Sequence, residues 1–313
     1  MARLATVFGG SGFVGRYVVR QLARDGWRVN VAVRDAEYAK FLKPMGDVGQ
    51  ITPMAISIRD KAAVAAAVSG AEAVINLVGV LYESGAQNFE AIHHQGAKTI
   101  AEAAAAAGVA RLIHVSAIGA DAGSPSLYAR TKAAGEAAIR TAFPGATIFR
   151  PSLVIGPEDS FFNRFAGLAR VMPALPLFGG GKTRFQPVYV GDVADAIVRA
   201  VDDARTAGQT YELGGPTIYT FRQLMELMLK EIRRKRCLVS IPFPIARLEA
   251  RFLQVLPVPP LTVDQVRLLE RDNIAAQGVP GLVELGIRPT PVETVIPSYL
   301  DRFRPGGRFS AAA

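Results

Sequence analysis

Over the first 150 residues, short apolar runs rich in β-branched side chains alternate with alanine-rich stretches of helical period. The runs Leu4–Phe8, Arg28–Val33, Ala73–Val78, Arg111–Val115 and Ala146–Phe149 predict strands, and Val14–Arg24, Asp60–Val68, Phe89–Ala107 and Tyr128–Thr141 predict helices between them. Strands as uniformly apolar as Ala73–Val78 suit burial on both faces, and alternation of this kind predicts an α/β fold with a parallel sheet between two helical layers, a doubly wound Rossmann fold. Beyond Arg150 the pattern turns irregular, with breaks at Pro173, Pro176, Gly179–Gly181, Gly214–Pro216 and Pro257–Pro260. The expected organisation is a Rossmann domain over 1–150, a smaller irregular C-terminal lobe over 151–303 with some segments able to rejoin the first sheet, and a flexible tail over 304–313.

With 313 residues, half of them apolar and 20% charged, the chain can bury a sizeable core. No apolar run approaches the roughly 20 residues of a membrane helix, and Met1–Gln21 shows no secretory signal, so no transmembrane helix is expected. The single cysteine, Cys237, excludes an internal disulfide and any multi-cysteine metal centre and fits a reducing compartment. His93, His94 and His114 have no HExxH spacing and no cysteine partners; satisfied or surface imidazoles and no metal are expected. The net charge of +9 calls for an acidic partner, whether nucleotide phosphate, anionic lipid or an acidic protein face. No zinc-finger spacing or recognition helix points to nucleic acid.

The segment Phe8-Gly9-Gly10-Ser11-Gly12-Phe13-Val14-Gly15 follows a predicted strand and opens a predicted helix. Glycines there let the backbone turn sharply and approach a pyrophosphate, while helix-start N–H groups point at the anion. Gly9, Ser11, Gly12, Phe13, Val14 and Gly15 are therefore the predicted dinucleotide cradle; the plainer reading is a turn that packs helix on strand. Arg34 ends the second strand, where an acidic residue would hold the ribose 2′-hydroxyl of NAD. A guanidinium there pairs with a 2′-phosphate and favours NADP(H), and Asp35 keeps NAD open if it faces the ribose instead.

Leu77, Val78 and Gly79 follow Asn76 at the carboxyl edge of the sheet, where ligands of open α/β folds collect. Tyr128 and Lys132, four residues apart, share one helical face, and a nearby cation favours the phenolate, as proton transfer beside a hydride step requires. A half-buried ring beside a solvated charge is the plainer reading. Ser116 ends the preceding strand and is a candidate hydrogen-bond partner for a carbonyl, with Ser124 and Ser126 as competitors.

These features resemble the extended short-chain dehydrogenase/reductase superfamily. The resemblance implies that Tyr128 and Lys132 are a catalytic pair, with Lys132 also on the nicotinamide ribose, and that Pro151 and Leu153, around Arg150-Pro151-Ser152, lie beside the nicotinamide. Val188–Ala196 (VYVGDVADA) is similar to a second-lobe motif of that family. Where many relatives carry an adenine-contacting aspartate after the third strand, this chain has Ser57, leaving adenine to the backbone and Ile58.

Three further stretches, Lys43–Gln50, Arg150–Arg164 and Leu261–Asn273, resemble a narrower family, the dinucleotide-binding accessory subunit of respiratory complex I (NADH:ubiquinone oxidoreductase) and its proteobacterial homologues. That resemblance implies a subunit off the electron path that holds NADPH structurally, supports assembly or stability, and keeps Tyr128, Lys132 and Ser116 as a vestigial site. Its partners would be other complex I subunits. Its place would be peripheral, on the cytoplasmic side of a bacterial inner membrane or the matrix side of the mitochondrial one. The basic run Lys230–Arg236 and the following Pro242–Leu256 form a candidate docking surface near anionic lipid headgroups; the plainer reading is a solvated helix end before a core-facing helix. The alternatives are a free NADP-dependent reductase or epimerase using Tyr128, Lys132 and Ser116, and a redox sensor of the NADP(H) ratio.

Overall fold

Strands β1 (Leu4–Phe8), β2 (Arg28–Val33), β3 (Ile51–Ala55), β4 (Ala73–Asn76), β5 (Arg111–Val115), β6 (Thr147–Pro151) and a seventh, Thr210–Leu213, pair in one sheet of the computed structural model, which describes residues 3–256 and 259–307. The order is Thr210–Leu213, β6, β5, β4, β1, β2, β3, and every pairing is parallel. Val7, Val31, Val74, Ile75 and Ile113 are almost wholly buried, as a sheet covered on both faces demands. Pro53, which has no N–H to donate, sits in the edge strand β3.

Helices α1 (Phe13–Arg24), α2 (Lys61–Val68), α3 (Ala97–Ala106) and α4 (Leu127–Ala142) cover the sheet. Asp60 caps α2 by accepting from Ala63 N–H at 3.0 Å, and Ser126 caps α4 by accepting from Ala129 N–H at 3.2 Å. Alanines Ala67, Ala97, Ala101 and Ala104 let these helices approach closely around Ile100, Leu112 and Ile139. The strand order reverses between β1 and β4, whose ends pair at Phe8 and Asn76, and in open parallel sheets ligands bind at such a reversal.

Two of the predicted elements take a different form, besides the strands Ile51–Ala55 and Thr210–Leu213, which were not among the predicted runs. β4 stops at Asn76 rather than Val78, because the Asn76 Oδ1 accepts from Val78 N–H at 3.1 Å and turns the chain out of the ladder. The stretch expected as one helix from Phe89 to Ala107 is a π-helical turn, Glu90–Gly96, running into α3. α4 presses on that turn: a Cβ at Gly135 would lie 2.1 Å from His93 O. Such wide turns recur at functional sites.

The chain forms two compact units. The first comprises Met1–Pro151, Gly191–Leu213 and Gln277–Ile287, and the second Ser152–Val190, Gly214–Ala276 and Arg288–Ala313. In the first, Thr210–Leu213 extends the sheet beyond β6, and Glu212 N–H donates to Pro280 O at 2.9 Å. The second has its own core around Phe162, Phe221, Met225, Met228 and Tyr299. Its strands Ala174–Phe178 and Cys237–Ile241 pair in parallel and lead into a helix, Phe243–Leu253. In the stretch expected as a tail, Arg304 Nε donates to Glu231 O at 3.0 Å; residues 308–313 lie outside the described residues.

Candidate functional site

The glycine turn is shaped by close approach. Gly9 has φ +79°, and a Cβ there would crowd Leu77 C and Val78 N at 3.3 Å, so the turn abuts the end of β4. A Cβ at Gly15 would meet Gly9 O at 2.4 Å and Gly10 Cα at 2.6 Å, so α1 can only start this close with glycine. Gly12 is the N-cap of α1 and supplies no side-chain cap. Ser11, Phe13 and Val14 surround it half-buried. Arg16, which the motif did not single out, folds back with Nε 3.3 Å from Gly12 O.

At the end of β2, Asp35 Oδ1 accepts from Tyr38 N–H at 2.9 Å. Arg34 is exposed and has no hydrogen-bond or ion-pair partner among the described residues. Ile58 is 8% exposed and sits in the core, with its Cδ1 2.3 Å from where a Gly96 Cβ would lie.

Leu77 and Val78 adjoin the glycine turn, and Gly79, next along the chain, comes close to Lys132 and so to Tyr128. Lys132 is 4% exposed, donates from Nζ to Val115 O at 3.2 Å, and holds its ammonium 6.0 Å from the Tyr128 ring centre. A Cβ at Gly79 would lie 3.3 Å from that Nζ. Burial pushes Lys132 down to about 8, against the pull of Glu136. Glu136 is itself taken by Arg150, at 2.9 Å from Nε and 2.7 Å from Nη2, and Arg150 Nη1 reaches Glu212 at 3.3 Å. Arg150 thus fastens α4 to the sheet.

Ser116 is buried, and its hydroxyl has no partner among the described residues. Ser126 caps α4, and Ser124 Oγ accepts from Ser126 N–H at 3.2 Å, so both competitors serve the local backbone. Pro151 ends β6 and accepts from Ile118 N–H at 3.1 Å. Leu153 belongs to the second unit, where it packs against that unit's core. In the same unit Ser152 Oγ lies 2.6 Å from Asn273 Oδ1 and Arg184 pairs with Asp272, which gives the end of the Leu261–Asn273 stretch a structural task.

The histidines correct the expectation of satisfied or surface rings in one case. His94 is half-buried against Glu90 at 2.6 Å, and His93 is buried and bonded, but His114 is 1% exposed with neither ring nitrogen partnered among the described residues. Burial, with Lys132 and His93 nearby, holds the His114 ring neutral. His93 belongs to the site: its ring stacks on Phe89 at 5.3 Å and meets Tyr128 edge-on at 5.1 Å. The four-residue spacing of Phe89 and His93, one helical face ahead of Gly96, was the available signal. Together these residues set a tight glycine turn near a phenol and a buried ammonium, a pair suited to holding or moving a proton.

Comparison with known proteins agrees with this geometry. The sequence model of the NAD dependent epimerase/dehydratase family matches residues 5–214. The chain is 42% identical over 316 residues to NADH dehydrogenase [ubiquinone] 1 alpha subcomplex subunit 9, mitochondrial, of Arabidopsis thaliana, covering 97% of this chain and 79% of that one. The Mus musculus protein of the same name is 38% identical, with 96% and 80% covered. The dTDP-glucose 4,6-dehydratase of Streptomyces venezuelae, solved with NAD bound, superposes with a TM-score of 0.74 at 21% identity, covering 95% of each chain.

Proposed function

The chain belongs to the NAD dependent epimerase/dehydratase family and, within it, to the family of the complex I accessory subunit, and we propose that it serves respiratory complex I as a subunit that retains NADPH without turning it over. The observation that carries this reading is the near full-length likeness to the plant alpha subcomplex subunit. The residues fit the nucleotide: α1 begins without a side-chain cap, Gly9 and Gly15 bring backbone close to backbone, and Arg34 is the unengaged charge where a 2′-phosphate would lie. Asp35 is occupied by Tyr38 N–H, which favours NADPH over NADH. A ligand held only by the folded chain, at a thousand times its Kd, adds about 4 kcal/mol of stability without any turnover.

A docking surface toward anionic lipid headgroups is supported by the helix Phe243–Leu253. Ile245, Leu248 and Phe252 are 51%, 58% and 71% exposed and follow one another at helical spacing, while Ala246 and Ala250 on another face are buried. Arg247 and Arg251 flank the exposed face, and residues 230–256 carry seven basic side chains against two acidic ones. Apolar side chains between arginines suit the headgroup boundary. No helix among the described residues is long and apolar enough to cross a membrane; the proposed association is peripheral, on the cytoplasmic side of a bacterial inner membrane or the matrix side of a mitochondrial one.

Fractionation of gently solubilised membranes tests the assembly. Co-migration with NADH dehydrogenase activity is expected, and a wholly soluble monomer or homo-oligomer overturns it. Mass identification of the extracted nucleotide tests the cofactor, NAD in place of NADP(H) being the contrary result. The pairing of half-buried Tyr128 with buried Lys132 favours the second reading, a free NADP-dependent reductase or epimerase. A carbonyl substrate that consumes the bound nucleotide, with turnover lost in Tyr128→Phe, would establish it.

A further inference from the structure

We propose that His93 is a positioning residue that clasps the Gly79–Val80 segment to the N-terminal half of α4 and so fixes the place of Tyr128 and Lys132; its bearing on nucleotide binding rests on the reading of that pair as nucleotide ligands. Two polar groups meet the ring, and the second of them is itself bonded to the helix backbone. Val80 N–H donates to Nε2 at 3.1 Å, which assigns the lone pair to that nitrogen. Nδ1 lies 3.2 Å from Thr131 Oγ1, and that hydroxyl lies 3.0 Å from Leu127 O and 3.1 Å from Tyr128 O, the acceptors for its own proton. A single orientation satisfies all of them: Val80 N–H to Nε2, Nδ1–H to Thr131, and Thr131 O–H to the backbone of α4. The sheet edge that carries Gly79 is thereby joined, through one ring, to the helix that carries Tyr128 and Lys132.

The ring faces also contribute. Phe89 stacks on one, the Tyr128 ring meets His93 edge-on, and Gly135 allows α4 to approach the His93 backbone. A second proton on His93 would break the bond from Val80 and set a cation near the Lys132 ammonium, so the clasp holds only as the neutral ring. Burial and Lys132 push His93 down to about 3, in keeping with that state.

The full chain, with ring-15N histidine and prepared free of nucleotide, tests the clasp. The His93 signal, assigned by its loss in His93→Phe, should report the Nδ1–H tautomer at pH 7 and remain neutral to pH 5. His93→Phe keeps the ring stacking but removes both bonds; the Val80 amide should then exchange roughly tenfold faster, and NADPH should bind roughly tenfold more weakly. Thr131→Val, which removes one hydroxyl, should weaken NADPH by about threefold, and His93→Gln, able to accept from Val80 N–H, should recover part of the loss. A role confined to packing would lower the melting temperature while leaving amide exchange at Val80 and relative affinity unmoved. A protonated or Nε2–H ring at pH 7, or unchanged Val80 exchange in His93→Phe, overturns the proposal. Absence of nucleotide binding by the unaltered chain instead refutes the reading of the site, and the tautomer and exchange still judge the clasp.

Discussion

At the sheet edge of the first unit an ammonium and two imidazoles, Lys132, His93 and His114, are almost wholly withdrawn from water; on the helix Phe243–Leu253 of the second, Leu248 and Phe252 stand in it. Each placement costs free energy in the isolated chain, one through desolvated polar groups and the other through hydrated apolar surface. The two costs are relieved differently. Lys132 is already bonded to Val115 O and His93 to Val80 N–H, so the sheet edge is organised before any ligand arrives. The exposed helix face has no such partner among the described residues, and in the proposed docking it is association that covers it. A preformed site and an uncovered surface should therefore respond to opposite kinds of substitution.

Gly15→Ala is the most damaging single change to the first. The added methyl would need to share space with Gly9 O at 2.4 Å and Gly10 Cα at 2.6 Å, both backbone, so the turn and α1 must separate. NADPH affinity, followed by fluorescence titration, should fall more than about a hundredfold. A well-folded Gly15→Ala chain that binds NADPH normally would show that the close approach is unrelated to the ligand.

The corresponding blow to the second region is the double change Leu248→Asp and Phe252→Asp. Both side chains are already exposed, so the chain should fold with little loss of stability, while partition onto vesicles containing anionic lipid should drop roughly a hundredfold. Unchanged vesicle binding, or binding equally strong to neutral vesicles, would assign this face to a protein partner.

The two regions also differ in how far they could be read from the chain. The glycine turn, the strand before it and the Tyr128–Lys132 spacing are local patterns, and local patterns survive folding. The helix at 243–253 was legible as apolar, but its periodicity alone could not say which face is buried: Ala246 and Ala250 go inward although Leu248 and Phe252 are the larger apolar groups. The strand Thr210–Leu213 was hidden because it joins β6 from far along the chain. The clasp at His93 was hidden too, since its partners Val80 and Thr131 lie 13 and 38 residues away. His114 violates the rule that buried polar groups find partners, and no pattern in Arg111–Val115 announces it.

Lys132→Met probes the cost at the sheet edge. Its folded value is lowered from 10.5 to about 8, a penalty of about 3 kcal/mol. Below pH 8 folded and unfolded chains both carry the proton, and the folded chain bears the whole penalty. Between pH 8 and 10.5 the unfolded chain keeps a proton the folded chain has released, so the original stability rises with pH. Denaturant unfolding of the nucleotide-free chain should thus find Lys132→Met more stable near pH 7, with the difference shrinking as pH rises toward 10.5. The same variant should hold NADPH less well, roughly tenfold. A destabilised variant at pH 7 would mean the ammonium is better solvated than its burial implies.

Arg34→Gln should have the smallest effect and the sharpest meaning. The guanidinium is exposed and unengaged, so its removal leaves folding untouched. A charge-assisted bond to a 2′-phosphate at an exposed site is worth about 1.5 kcal/mol, so NADPH should bind roughly tenfold more weakly. NADH has no such phosphate, and its affinity should stay the same. The ratio of the two affinities isolates Arg34 from everything that shapes the crevice, since damage to Gly15 or Lys132 lowers both together. An equal loss for both nucleotides would remove Arg34 from the 2′-position and return the choice of cofactor to Asp35, which would then need to give up Tyr38 N–H to reach the ribose.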